Sequence, residues 1–254
     1  MPDFSKNELQ RYERQLIVPE IGLAGQKKIS KAKVLVIGAG GLGGPALFYL
    51  AAAGVGTIGI LDSDKVDLTN LNRQILHSEK AVGVFKTESA RRTLSAFNPG
   101  VKLLVLRTRF GAENARKIVR QFDVVVDACD NFDTRYVAND ACISENKPFV
   151  SGAVFRLEGR VSVFGGRGPC FRCVYPKERI SLPKKRGKIG ILGAVAGVMG
   201  CLEAIEAIKL ILGKGKTLSG RMLVFNALNA HFTELRVHKR RNCPVCGIAA
   251  RRGK

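Results

Sequence analysis

The stretch at residues 34–44, VLVIGAGGLGG, sets the first constraint on this chain of 254 residues. An apolar, β-branched run gives way to Gly38, Gly40 and Gly43 in the spacing GxGxxG, which asks for a strand that turns sharply into a helix. The opening amides of such a helix lack partners and face an anion, so the motif points to a phosphate. Asp62 closes the next apolar run, TIGILD, where the acidic residue of a dinucleotide fold takes the two ribose hydroxyls. On these residues alone a nicotinamide dehydrogenase, another nucleotide-binding protein and a tight packing turn without a ligand all stay open.

The flanking pattern places the motif. Residues 34–61 carry no charge, and by length alone they would span a membrane. Glycines and Pro45 break the run into strand, turn, helix (PALFYLAAAG) and strand, which is how a buried βαβ unit reads. Helix-like and strand-like segments then alternate: KTESARRTLSAF, VKLLVL, AENARKIVRQF, DVVVDA, DTRYVANDACISEN and KPFVSGAV. This implies an α/β fold with a Rossmann-like, doubly wound and mostly parallel sheet, with ligand chemistry at the carboxyl ends of its strands. From Arg156 onward strands follow one another, RLEGRVSVFG and then RMLVFNA and HFTELRVH after the apolar helix GAVAGVMGCLEAIEAIKLIL, so an antiparallel C-terminal extension is expected. The expected division is an N-terminal helical arm (1–32), a nucleotide-binding half (33–155), and an extension with a crossover loop (174–192) and a metal-bound tail (156–254), in one continuous domain. The arm carries the capping box SKNE ahead of LQRYERQLIV and is not needed to complete the first strand; it is expected to pack elsewhere, on a second subunit. The chain opens on polar and charged residues rather than a signal peptide, so a cytoplasmic protein is expected.

Lys and Arg number 42 against 21 Asp and Glu, a formal charge of +21, with local runs at 184–188, 238–241 and 251–254. Such an excess calls for an acidic partner and does not name it. Residues after Asp62 are more specific. Asn70, Arg73 and Gln74 in DLTNLNRQ, followed by Lys86, put two cations and two amides downstream of the ribose-binding acid. A pyrophosphate bridge is served mostly by backbone amides, whereas a triphosphate about to lose pyrophosphate needs cations where charge builds up, so ATP fits better than NAD. Asp130, in DACDN just past the strand DVVVDA, is placed to hold Mg²⁺ on the phosphates. The competing structural role is N-cap of the next helix, which Asp133 fills as well.

Seven cysteines in such a context argue against disulfides. Cys170, Cys173, Cys243 and Cys246 form two CxxC pairs beside Pro and Gly, the pattern of a structural Zn²⁺ knuckle that fastens the tail to the body. Cys129, Cys142 and Cys201 fall in strand-end or helical contexts and are expected to be buried.

Taken together, RYERQ (11–15), GAGGLG, LDSDKVDLTNLNRQ, GVFKTES, DACDN, SGAVFRLEGRVSVF and the two CxxC pairs resemble the ThiF/MoeB/HesA adenylyltransferases. These serve molybdopterin and thiamine synthesis and are related to the ubiquitin-activating enzyme. The resemblance implies that a small ubiquitin-like β-grasp carrier protein presents its C-terminal Gly-Gly carboxylate to ATP·Mg²⁺, forming an acyl-adenylate and pyrophosphate. By the same resemblance Gly38, Gly40, Gly41, Leu42 and Gly43 lie against the nucleotide. Asp62 holds the ribose, with Asp64 nearby, while Asn70, Arg73 and Lys86 hold the phosphates and Gln74 is a further cofactor-binding residue. Asp130 positions Mg²⁺ beside Asn131, and Arg14 reaches the γ-phosphate of the neighbouring subunit in a homodimer. Some relatives carry a catalytic cysteine in the crossover loop; here residues 174–192 have none, and Arg186 stands at the corresponding place. The expectation is adenylation alone, with a separate persulfide donor supplying sulfur and no sulfurtransferase domain after CPVCG. Cys201 is a poor substitute nucleophile within its apolar helix. Three other readings stand against this one: an NAD(P)-dependent oxidoreductase, a relative that adenylates a tRNA-base carboxylate, and a zinc-stapled nucleic-acid-binding protein. The last is disfavoured because the cysteine pairs enclose no compact finger. A membrane is not an expected partner.

Overall fold

The computed structural model describes residues 4–177 and 190–247. Its elements are α1 (Lys6–Leu16), α2 (Gly22–Lys31), β1 (Lys33–Ile37), α3 (Gly43–Ala52), β2 (Thr57–Leu61), α4 (Lys86–Phe97), β3 (Lys102–Leu106), α5 (Ala115–Val119), β4 (Val124–Asp127), α6 (Phe132–Ser144), β5 (Phe149–Phe155), β6 (Glu158–Phe164), α7 (Phe171–Val174), α8 (Gly193–Leu212), β7 (Arg221–Asn226) and β8 (His231–Arg236). The strands form one eight-stranded sheet in the order β3-β2-β1-β4-β5-β6-β7-β8. Pairing is parallel from β3 to β5 and antiparallel from β5 to β8, the expected fold class.

Alternation along each strand divides the core. Val34 and Val36 of β1 face α3, α4 and α8 with Val124, Val126 and Val150, whereas Leu35 and Ile37 face α5, α6 and α7 with Val125 and Phe149. Both faces are covered, which is why the central strands read as unbroken apolar runs. Helix α8, 20 residues long, lies across β4, β5 and β6 and buries Glu203 and Glu206 among its apolar side chains. Among the described residues no helix is long and apolar enough to cross a membrane.

The N-terminal helix starts at the capping box expected from SKNE: the Ser5 hydroxyl accepts from the Glu8 amide, and the Glu8 carboxylate accepts from the Ser5 amide at 2.8 Å. Part of this arm packs on its own body. Tyr12 is buried against Gly54 of the same chain, Asn98 donates to its hydroxyl at 3.1 Å, and Gln15 donates to the Ala53 carbonyl at 3.1 Å. Leu9, Ile17 and Val18 remain exposed.

Helix α2 has no capping side chain and two glycines, and it exists because Gln26 and Ile29 are buried. Helix α5 is shorter than AENARKIVRQF suggests. The Asn114 side chain accepts from the Gly111 amide and donates to the Arg109 carbonyl, which closes a turn where the helix would have begun.

Two glycines of the first turn are dictated by geometry. Gly38 has φ of 99°, and a Cβ there would lie 2.8 Å from the Ala128 carbonyl oxygen; a Cβ on Gly43 would collide with the Gly38 carbonyl. At Gly40 the nearest atom to such a Cβ is Gln74 Nε2 at 3.6 Å, an ordinary contact. Gly43→Ala should therefore lower the unfolding free energy by roughly 3 kcal/mol and Gly40→Ala by under about 1 kcal/mol, measured by urea denaturation.

Candidate functional site

The sheet order reverses between β1 and β4, so the loops leaving these two strands diverge and open a crevice at their carboxyl ends. The turn after β1 enters α3, whose N-terminus no side chain caps. Asp62, after β2, is fixed from both sides: its carboxylate accepts the Ala39 amide at 2.9 Å and the Asp64 amide at 2.8 Å. His77 secures the turn from below. Its Nε2 donates to the Ala39 carbonyl at 2.8 Å, so Nδ1 accepts from the Ser89 hydroxyl at 2.9 Å when the ring is neutral. Burial pushes the His77 pKa down, and the Lys86 charge adds to that against the hydrogen bond to Ala39.

Residues 65–85 form a clasp beside this turn, closed by Val66 N–H to Val84 O at 2.8 Å and Gly83 N–H to Val66 O at 2.9 Å. At its mouth the nearly buried Lys86 ammonium meets the exposed Asp64 carboxylate at 3.0 Å. Asn70 ends a short 3-10 turn, Leu68–Asn70, and its Oδ1 accepts the Asp67 amide. Arg73 donates to the Thr69 carbonyl and to Asn72 Oδ1, both at 2.9 Å, which holds the guanidinium out over the clasp. Its backbone lies close over Gly41. Gln74 is buried next to Gly40 and its Oε1 has no partner among the described residues, an orphaned acceptor in the wall of the crevice.

The loop after β4 forms the opposite wall. The Ala128 carbonyl abuts Gly38, so DACDN and the glycine turn touch. Neither Asp130 nor Asp133 caps α6. Asn131 does, accepting the Thr134 amide at 2.9 Å, and so it serves the helix rather than standing free beside the phosphates. Asp130 is left with an exposed carboxylate whose described contact is Asn131 Nδ2 at 3.4 Å. Beneath it lies a buried polar group that the sequence did not reveal: Asp127, Ser151, Arg135 and, from α8, Glu203. Glu203 is fully buried, and burial together with Asp127 drives its pKa well above the carboxylate range.

No described cysteine outside the CxxC pairs suits nucleophilic chemistry. Cys142 is buried, while Cys129 and Cys201 are half-buried rather than enclosed as expected; burial raises the pKa of each. Arg186 lies outside the described residues. Arg14 is exposed on α1, next to Gln15 at Ala53, which places it at the amino-terminal edge of the sheet and away from its own chain's crevice.

The CxxC pairs do come together. All four sulfurs of Cys170, Cys173, Cys243 and Cys246 lie within 4.8 Å of one another and are buried, with Cys170–Cys243 at 3.5 Å, Cys173–Cys246 at 3.4 Å and Cys170–Cys173 at 3.9 Å. A tetrahedral ion with Zn–S bonds of ~2.3 Å requires S···S edges of about 3.8 Å. The Arg240 amide points at Cys173 Sγ, as in a metal knuckle.

The ThiF family model matches residues 12–245. A sulfur carrier protein adenylyltransferase of Thermus thermophilus is 44% identical over 96% of this chain and 93% of its own length. The adenylyltransferase and sulfurtransferase MOCS3 of Culex quinquefasciatus is 47% identical over 95% of this chain, which spans 56% of that longer protein. Among solved structures, E. coli MccB with AMPCPP and MccA superposes with a TM-score of 0.84 at 26% identity, covering 95% of this chain and 75% of that one.

His77 supplies a test of the turn's architecture. A histidine whose folded pKa is depressed below 6.5 contributes fully above that pH and loses its contribution as the pH falls below it. The stability advantage of the wild type over His77→Gln should be largest at about pH 7.5 and shrink by about pH 5.5, read from urea midpoints.

Proposed function

The chain belongs to the ThiF family, and we propose that it is an adenylyltransferase that uses ATP to activate the C-terminal Gly-Gly carboxylate of a small ubiquitin-like carrier protein, with release of pyrophosphate. The observation that carries this reading is the convergence, at one sheet edge, of the glycine turn with Asp62, the cations Arg73 and Lys86, and the exposed Asp130. Membership of this family sets the nicotinamide-dehydrogenase reading aside.

The chemical difficulty is that an anionic carboxylate must approach an anionic α-phosphate. Fixed donors and cations lower that barrier because they need not reorganise as charge moves. Asp62 is preoriented by two backbone amides and keeps acceptor capacity for the ribose hydroxyls. The residues Gly38–Gly43 bring backbone against the phosphates, Gln74 Oε1 offers an acceptor, and Asn70, Arg73 and Lys86 take the charge that builds on the departing pyrophosphate. For Lys86 this means exchanging Asp64 for phosphate, and the exposure of Asp64 makes that exchange inexpensive. Asp130 is the hard oxygen ligand for Mg²⁺, which when bound offsets phosphate charge.

Arg14 is too distant to serve its own crevice and is assigned to that of a second copy in a homodimer. Exposed Ile17, Leu23, Tyr49 and Ile205 supply apolar surface for such an interface. The carrier docks at the free edge of the sheet. Every residue of β8 is exposed, Arg236 among them, and Lys214, Lys216 and Arg241 in the flanking segments are exposed as well, which suits an acidic partner. Without a cysteine in residues 174–192, the reaction stops at the acyl-adenylate and sulfur comes from a separate persulfide donor. The four thiols hold Zn²⁺ in a structural role.

Two measurements follow from this reading. ATP–pyrophosphate exchange should require a Gly-Gly-ended carrier and fall by more than about 100-fold in Asp130→Ala, a loss expected for a phosphate-bound metal ligand; exchange without carrier, or retained in the variant, would overturn the assignment. Metal analysis should find one zinc per chain, and Cys243→Ser should release it and lower the thermal midpoint by several degrees, as loss of a structural metal does.

A further inference from the structure

Cys129 is held by both of its peptide groups. Asp127 Oδ1 accepts its amide at 3.2 Å, and Arg135 Nη2 donates to its carbonyl at 2.6 Å. The same Nη2 donates to the Gly152 carbonyl of β5 at 2.9 Å, and Arg135 Nε faces Asp127 Oδ2 at 3.4 Å. Asp127 is fixed in turn by the Ser151 hydroxyl at 2.6 Å. The Cys129 carbonyl belongs to the peptide that leads into Asp130, and on its other side Asp130 is followed by the N-cap Asn131. A buried fork therefore joins β4, β5 and α6 around the residue that precedes an exposed carboxylate. Packing alone does not require this, because a guanidinium with 8% of its side chain exposed is costly to bury.

We propose that Arg135 is the positioning residue for Asp130: by gripping the Cys129 and Gly152 carbonyls it fixes the direction in which the Asp130 carboxylate meets a divalent metal on the nucleotide. This rests on the reading of Asp130 as a metal ligand. The role depends on the length and shape of the guanidinium and not on charge alone, since Nη2 meets both carbonyls while Nε faces Asp127, and a cation that only balances Asp127 does not do both. Glu203 packs against Gly152 on the other face of the sheet, makes no described hydrogen bond to Arg135, and takes no part in this grip.

The test is calorimetric titration of the whole protein with the non-cleavable nucleotide AMPCPP, with and without Mn²⁺, the affinity gained with metal being the readout. Arg135→Lys keeps a charge for Asp127 and loses the separate Nη2 that meets the two carbonyls; it should cut the metal-dependent gain roughly tenfold, in the range found for outer-shell partners of metal ligands, while metal-free AMPCPP binds as in the wild type. Glu203→Gln should leave the gain unchanged. In an Asp130→Ala background Arg135→Lys should have no further effect, because it acts through that carboxylate. An undiminished gain in folded Arg135→Lys, or an additional loss in the double variant, would overturn the proposal. If Asp130→Ala itself keeps the full gain, the assignment of the metal to Asp130 fails instead. Should Arg135→Lys not fold, Ser151→Ala loosens Asp127 without exposing a buried charge and must reduce the gain two- to threefold; a wild-type gain there sinks the idea.

Discussion

The close approach of two loops at the point where strand order reverses governs the rest of the molecule. The Ala128 carbonyl after β4 lies where a side chain on Gly38 would have to be, and the Gly38 carbonyl lies where one on Gly43 would be. Three segments are thus locked together by backbone alone: the end of β1, the start of α3 and the loop after β4. The site is built outward from this contact. His77 props the turn against α4, Asp62 is tethered to it, and the 65–85 clasp closes over its far side. A backbone joint of this kind tolerates little variation in its glycines and considerable variation in the side chains arranged around it.

What was legible in the sequence follows the same division. Local signals are readable in a sequence, so α4 and α8 span the segments their sequences suggest, α8 ending at the left-handed Gly213, and the SKNE box caps α1. The glycine turn, Asp62 and the thiol pairs were legible because each imposes a fixed spacing. Helix α2 was not, since GLAGQKKISK carries neither cap nor clear stripe and is stabilised by burial of Gln26. Asn131 took the cap expected of Asp133 or Asp130 because its amide can accept from Thr134 while its Nδ2 turns toward Asp130. His77 and Arg135 were missed for a different reason: their partners are main-chain carbonyls of distant segments, and no residue type or spacing announces such a partner.

Charge is handled in opposite ways inside and outside. Within the sheet, acidic groups cluster around one guanidinium: Asp127 faces Arg135, and burial shifts the Glu203 carboxyl toward its neutral form. Outside, Glu88 serves both Arg91 and Arg92, and Glu234 serves Arg221, while over the sequence Lys and Arg outnumber Asp and Glu by 42 to 21. Surface pairs of this sort add little stability, and the net field they leave acts at a distance on whatever approaches.

The thiol cluster joins Cys170 to Cys243, 73 positions further along the chain. That circuit encloses α8, β7 and β8, the last two of which are added in antiparallel order to the rim of the sheet. An edge hairpin ordinarily detaches first, like the open end of a zip, because only one side of it is paired. Here both ends of the circuit meet at a buried point, which limits how far β8 can move from the sheet while the thiols stay together.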